Sequence, residues 1–249
     1  MARLAAGGHR VVLVTATRGE LGEVPEGMLS PGESLADRRA VELAAACDVL
    51  GVARHEYLGY RDSGMEGEPT NDDPSSFWQA DVDEAAKRLA SILDEERADV
   101  LTAYDEHGGY GHPDHVQVHR VGLRAAELAG TDRVFMATVN RDYILSLAES
   151  APEMGVAMTE EQRAMLQTLG VRATRITTAL DVTQFLDRKR RAMEVHATQI
   201  SDTSFFLQMP DDVFGLVWGT EWYIRVGAEP PEHLEDTLLG REDSRSDEV

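Results

Sequence analysis

Four of the eight histidines of this 249-residue chain fall in one short stretch, Tyr104-Asp-Glu-His-Gly-Gly-Tyr-Gly-His-Pro-Asp-His-Val-Gln-Val-His119. His112 and His115 are three positions apart and His119 is four further on. On a helix those offsets share one face, so two or three imidazoles can converge. Neutral imidazole is a common zinc ligand, and carboxylates such as Asp114 and Asp105 can complete a ligand set or orient the rings. On its own, a His-x-x-His pair at a helix start is more often a capping network than a metal site. The surrounding Gly108, Gly109, Tyr110, Gly111, Pro113 and Asp114 shift the balance toward metal.

The elements that must position these side chains can be read around them. Ala98–Ala103 is an apolar run suited to a buried strand, the glycines allow a sharp turn, and Pro113 suits the first turn of a helix reaching about Ala129. Such a turn at the carboxyl end of a strand is where open α/β sheets bind ligands. Upstream, Ala2–Gly7 reads as a helix end, Val11–Ala16 as a strand buried on both faces, Ser34–Leu50 as a helix and Arg54–Leu58 as a short strand. Residues 65–76, rich in Gly, Pro and Asp, read as a mobile lid, and Trp78–Arg97 as a helix. Downstream, Arg133–Thr138 is a strand, residues 142–149 and 160–169 are short helices over the pocket, and Ile176–Leu180 is strand-like. Val182–Gln199 reads as a helix and Glu221–Val226 as an edge strand. Strands alternating with helices predict an α/β class, a Rossmann-like doubly wound, mostly parallel sheet with helices on both faces. The expected organisation is one domain over residues 1–226 and an acidic, disordered tail over 227–249.

The formal charge of −21 disfavours nucleic acid and anionic membrane surfaces as partners, since both need clustered Lys and Arg. A small neutral or cationic substrate is easier to reconcile with it. Cys47 is the single cysteine, which excludes an internal disulfide and a thiolate zinc knuckle. No apolar stretch has membrane-spanning length and no signal-peptide core opens the chain, so a cytoplasmic enzyme is expected. No Gly-x-Gly-x-x-Gly follows a strand, which disfavours a dinucleotide site.

The stretch Thr102-Ala-Tyr-Asp-Glu-His-Gly-Gly-Tyr-Gly-His-Pro-Asp-His115 resembles the second signature of the LmbE-like (PIG-L) de-N-acetylases, zinc amidases that deacylate amino sugars. Thr15-Ala-Thr-Arg-Gly-Glu-Leu-Gly-Glu23, Arg39-Ala-Val-Glu-Leu43, Leu58-Gly-Tyr-Arg-Asp-Ser-Gly-Met65 and His196-Ala-Thr-Gln199 follow the same family in order. The resemblance implies a metal-dependent amidase with one zinc, iron being the alternative. It implies His115 as a metal ligand, His112 and Tyr110 as stabilisers of the oxyanion or donors to the leaving amine, and Asp114 as the group orienting an imidazole. It implies Glu23, Arg39, Asp62 and His196 as contacts to an N-acylated amino sugar, such as an acetylglucosaminyl-inositol or mycothiol-type conjugate. Plainer readings exist for each: a solvated acidic turn for Glu23, a surface pair for Arg39 and Glu42, a favourable helix-dipole position for His196. The competing class is a non-catalytic relative that keeps a sugar pocket without the metal.

The family's first signature, Ala-His-Pro-Asp-Asp-Glu, is not in this sequence. With it the resemblance places the first, central strand, two further metal ligands and the general base. The expectation is an upstream segment of about 25 to 40 residues, one strand and part of a helix at ordinary lengths. Reading the DNA upstream of Met1 should reveal an in-frame Ala-His-Pro-Asp-Asp-like turn; an early stop codon there would contradict it.

Overall fold

Local chemistry sets the helix ends. Ser34 accepts the Asp37 N–H and starts one helix, which Gly51 ends at φ 75°. Pro113 opens another, which Gly130 ends at φ 67°. The computed structural model describes residues 1–150, 152, 158–201 and 203–240. In chain order the elements are α1 (Ala2–Ala6), β1 (Val12–Thr15), α2 (Leu35–Leu50), β2 (Arg54–Tyr57), α3 (Val82–Glu96), β3 (Val100–Tyr104), the single turn α4 (Gly108–Gly111), α5 (Pro113–Ala129), β4 (Arg133–Thr138), α6 (Arg141–Ser150), α7 (Glu160–Leu166), β5 (Thr178–Asp181), α8 (Leu186–Glu194), α9 (Phe205–Gln208), α10 (Asp211–Trp218) and β6 (Thr220–Arg225). No helix among the described residues is long and apolar enough to cross a membrane.

Where one domain was expected, the chain divides into two compact units, Met1–Asp81 with Val182–Phe214, and Val82–Asp181 with the chain from Gly215 onward. In the first, β1 and β2 pair in parallel, Val12 opposite Arg54 through Thr15 opposite Tyr57, and α2 packs on α8. Among the described residues β1 pairs with β2 alone, so its side chains are half-buried rather than buried on both faces. In place of the expected helix over Val182–Gln199, α8 ends at Glu194. Glu42 takes the Thr198 N–H and so competes with the helical ladder.

The second unit holds a four-stranded sheet in the order β3-β4-β6-β5. β3 and β4 are parallel, as a strand–helix–strand unit requires, whereas β6 runs antiparallel to both β4 and β5. The mostly parallel expectation therefore holds up to β4 and gives way beyond it. β6 is also interior rather than at the edge, because Thr177 and Thr178 of the β5 strand region turn back onto Tyr223. Its side chains enter the core: Met136, Val171, Ile176 and Ile224 pack together with Trp222 against them. Nor does the chain from Gly227 behave throughout as a free tail. Glu235 donates its N–H to the Thr177 carbonyl and accepts from Ala179 N–H, and Leu238 is buried. Residues 241–249, also assigned to the tail, lie outside the described residues, as does part of the expected cap over 140–172. The stretch expected as a lid is tied to its own base, with the Ser63 carbonyl accepting from both Thr70 Oγ1 and Asn71 Nδ2.

α5, which carries the histidines, packs on α3 and covers β3. The approach is close at Gly122, where an added Cβ would lie 3.1 Å from the Ala103 Cβ. Gly122→Val should force α5 from β3 and lower stability by about 1 to 3 kcal/mol, the usual cost of overpacking. Urea unfolding measures it, and an unchanged midpoint would contradict this packing.

Candidate functional site

The histidine turn of the second unit is built on a buried acid. Asp105, just past the end of β3, is fully buried and hydrogen-bonded through both oxygens. Oδ1 accepts the N–H groups of His107 and Gly109, each at 3.1 Å, and Oδ2 accepts the Thr138 hydroxyl at 2.6 Å from the end of β4. The carboxylate thus pins the turn to two strand ends. Held in that way it serves the turn, and the ligand role considered for it from sequence does not follow. Gly108, at φ +63°, is required here: an added Cβ would meet the His115 Cβ at 2.8 Å and the Val116 nitrogen at 2.7 Å.

The same turn assigns the two imidazoles opposite protonation patterns. His112 caps α5, its Nδ1 accepting the Asp114 N–H at 3.1 Å. With Nδ1 an acceptor, the neutral ring carries its proton on Nε2. His115 places Nδ1 3.1 Å from the Gly108 carbonyl, which can only accept. Nδ1 is therefore the protonated nitrogen, and in the neutral ring Nε2 is the nitrogen that bears the lone pair. The ring centroids are 5.1 Å apart. Thus the capping reading of the His-x-x-His pair describes His112.

Aromatic rings frame the pair. Tyr104 stacks on His115 with centroids 4.1 Å apart and planes within 6°, and Tyr110 stands edge-on to His115 at 5.1 Å and to His112 at 6.2 Å. Burial raises the pKa of the Tyr104 hydroxyl, and neighbouring Tyr110 raises it further. Asp114 is buried, with a carboxylate oxygen within 4.8 Å of a His112 nitrogen. His119, the third histidine of the helical face, uses Nδ1 on the Tyr104 carbonyl at 3.1 Å.

In the first unit, Arg39, Asp62 and Glu20 gather around the loops that follow β1 and β2. The Arg39 guanidinium lies flat on the 19–22 loop and Nη1 donates to the Gly19 carbonyl; an added Cβ at Gly19 or Gly22 would meet it at 2.4 or 2.2 Å. Asp62 is buried, with Oδ2 accepting Leu21 N–H at 3.2 Å and Oδ1 accepting Gly64 N–H at 2.9 Å, while Glu20 Oε1 accepts Asp62 N–H at 3.1 Å. Arg39 and Glu42 do not form the surface pair their spacing allowed. Glu42 is buried and holds Thr198 through both N–H, at 3.0 Å, and hydroxyl, at 2.6 Å. His196 donates Nδ1–H to the Ala192 carbonyl at 2.7 Å, satisfying the end of α8 as the dipole reading anticipates. Glu23 is exposed. The missed groups, Glu20 and Glu42, lie inside motif segments, but their partners are 42 and 156 residues away.

Residues 1–126 match the family PIG-L, GlcNAc-PI de-N-acetylase. The chain is 42% identical over 240 residues to the 1D-myo-inositol 2-acetamido-2-deoxy-alpha-D-glucopyranoside deacetylase of Acidothermus cellulolyticus, covering 90% of this chain and 81% of that protein. It is 41% identical over 238 residues to deacetylase 1 of the same description from Catenulispora acidiphila, covering 86% and 73%. A crystal structure of a deacetylase from teicoplanin biosynthesis has the same mixed α/β fold, with a TM-score of 0.57 over 92% of each chain at 18% identity.

The buried Glu42–Thr198 contact is testable by itself. Glu42→Ala strands two buried donors and should cost about 2 to 4 kcal/mol, each orphaned group contributing about 1 to 3. In a double-mutant cycle with Thr198→Val, urea unfolding should show the two losses to be strongly non-additive. Additive losses would mean the contact is not formed.

Proposed function

The chain belongs to the PIG-L family of GlcNAc-PI de-N-acetylases, and we propose that it hydrolyses the acetamide of a 2-acetamido-2-deoxy-glucopyranoside carried on myo-inositol. The observation that carries the reading is the opposite tautomers of His112 and His115, one a donor and the other a ligand, three residues apart. The substrate class is supported by the names of the two relatives above.

The donor chemistry fits a divalent metal, with Nε2 of His115 as a ligand atom. Zinc is proposed; when bound it supplies an acidified water and polarises the amide carbonyl. The remaining chemistry belongs to the side chains. His112 keeps an N–H on Nε2, which can donate a hydrogen bond to the developing oxyanion; when its ring is protonated, it can pass a proton to the leaving amine as the C–N bond breaks and return to the neutral form. On the family resemblance the Asp114 carboxylate orients an imidazole. Tyr110, 61% exposed and edge-on to both imidazoles, supplies a second donor to the oxyanion. On the family resemblance Glu23, Arg39, Asp62 and His196 contact the sugar. For Arg39 this is supported by Nε, a buried donor with no partner among the described residues. Acetate and a free amino sugar are the products.

Acetate release from the inositol-bearing N-acetylated glycoside tests the reaction, and two substitutions test the roles. His115→Ala should lose most of the bound metal, whereas His112→Ala should retain it and lower kcat by about 10²–10³, as expected for an oxyanion donor. Elemental analysis beside kinetics reads both. Equal loss of metal in the two variants would overturn the assignment.

A further inference from the structure

Glu20 stands out among the first unit's acids because one of its oxygens is engaged and the other is buried without a partner among the described residues. Oε1 accepts Asp62 N–H, and Asp62 Oδ2 in return accepts the N–H of Leu21, the next residue, so the loops after β1 and β2 are clasped by a reciprocal pair of side-chain-to-backbone bonds. The clasp immobilises the Glu20 carboxylate. Its Oε2 is buried and has no hydrogen-bond partner among the described residues. A buried acceptor without a donor is costly, so one held fixed by its sister oxygen points to a missing donor. Arg39 lies against the glycines on either side of Glu20, and its Nε is likewise buried and partnerless. One orphan acceptor and one orphan donor thus belong to the same short loop and its arginine. Neighbouring hydroxyls of a polyol suit that set, since each can donate or accept.

We propose that Glu20 is a specificity-determining residue whose Oε2 accepts a hydrogen bond from a hydroxyl of the substrate's polyol portion. The inference rests on the inositol-bearing substrate proposed above, and deepens it by naming a residue for the polyol portion of that molecule. A carboxylate acceptor is favoured over an amide because the charge strengthens the bond. Oε1 meanwhile ties the substrate contact to the backbone of Asp62, so both acids are set by one clasp.

Glu20→Gln is the informative variant, since a glutamine can still accept Asp62 N–H while presenting an amide where Oε2 lies. Binding is read by titration calorimetry with two non-hydrolysable products, the deacetylated amino sugar linked to inositol and its methyl glycoside. The variant should bind the inositol glycoside about tenfold more weakly and the methyl glycoside almost as wild type does, with an unchanged Tm. Unchanged binding of both ligands, equal weakening of both, or a wild type that does not distinguish them would overturn the proposal. Should the wild-type protein bind the inositol glycoside in a Glu20-dependent way yet release no acetate from its N-acetylated form, the proposed reaction fails and the role of Glu20 stands.

Discussion

The histidine turn depends on one buried carboxylate. Asp105 sits fully buried past the end of β3 and is satisfied by two turn N–H groups and the hydroxyl of Thr138 at the end of β4. A buried charge is tolerated only when its hydrogen-bonding capacity is filled, and here the filling groups are the ones whose positions define the turn. The turn directs the Gly108 carbonyl at His115 Nδ1, which fixes that ring's tautomer. The start of α5 then directs the Asp114 N–H at His112 Nδ1 and fixes the other. From one buried acid to two opposite imidazoles, each step is a single hydrogen bond of ordinary length.

The same principle recurs in the first unit. Asp62 and Glu42 are buried acids that accept backbone N–H groups from distant loops. In a chain with a formal charge of −21, these buried carboxylates join segments that the backbone ladders do not connect. Glu42 is the clearest case, drawing Thr198 across 156 residues of chain onto α2.

What could be read in the sequence was what local rules control. The span of α5, the glycine turn before it and the strand before that follow from proline geometry, glycine freedom and apolar runs, and they agree with the structure nearly residue by residue. The pairing of His112 with His115 was legible from spacing, but the division of labour between them was not, because it depends on a carbonyl at Gly108 and an amide at Asp114. Long-range facts were equally hidden. β6 looks like any amphipathic edge strand until β5 pairs beside it, and the 227–240 segment, whose Glu235 bridges Thr178 of β5, is too polar to suggest a return to the sheet. Arg39 and Glu42 have the spacing of a surface ion pair, yet each bonds elsewhere, since only the folded chain brings Gly19 and Thr198 within reach.

The central claim is that neighbouring imidazoles on one helix start are held in opposite tautomers. Long-range proton–nitrogen NMR correlations of the histidine rings at neutral pH, assigned by substitution, observe the protonated nitrogen directly. The account predicts His115 protonated on Nδ1 and His112 on Nε2 in the metal-free protein. Finding the same tautomer on both rings, or the reverse arrangement, would contradict it.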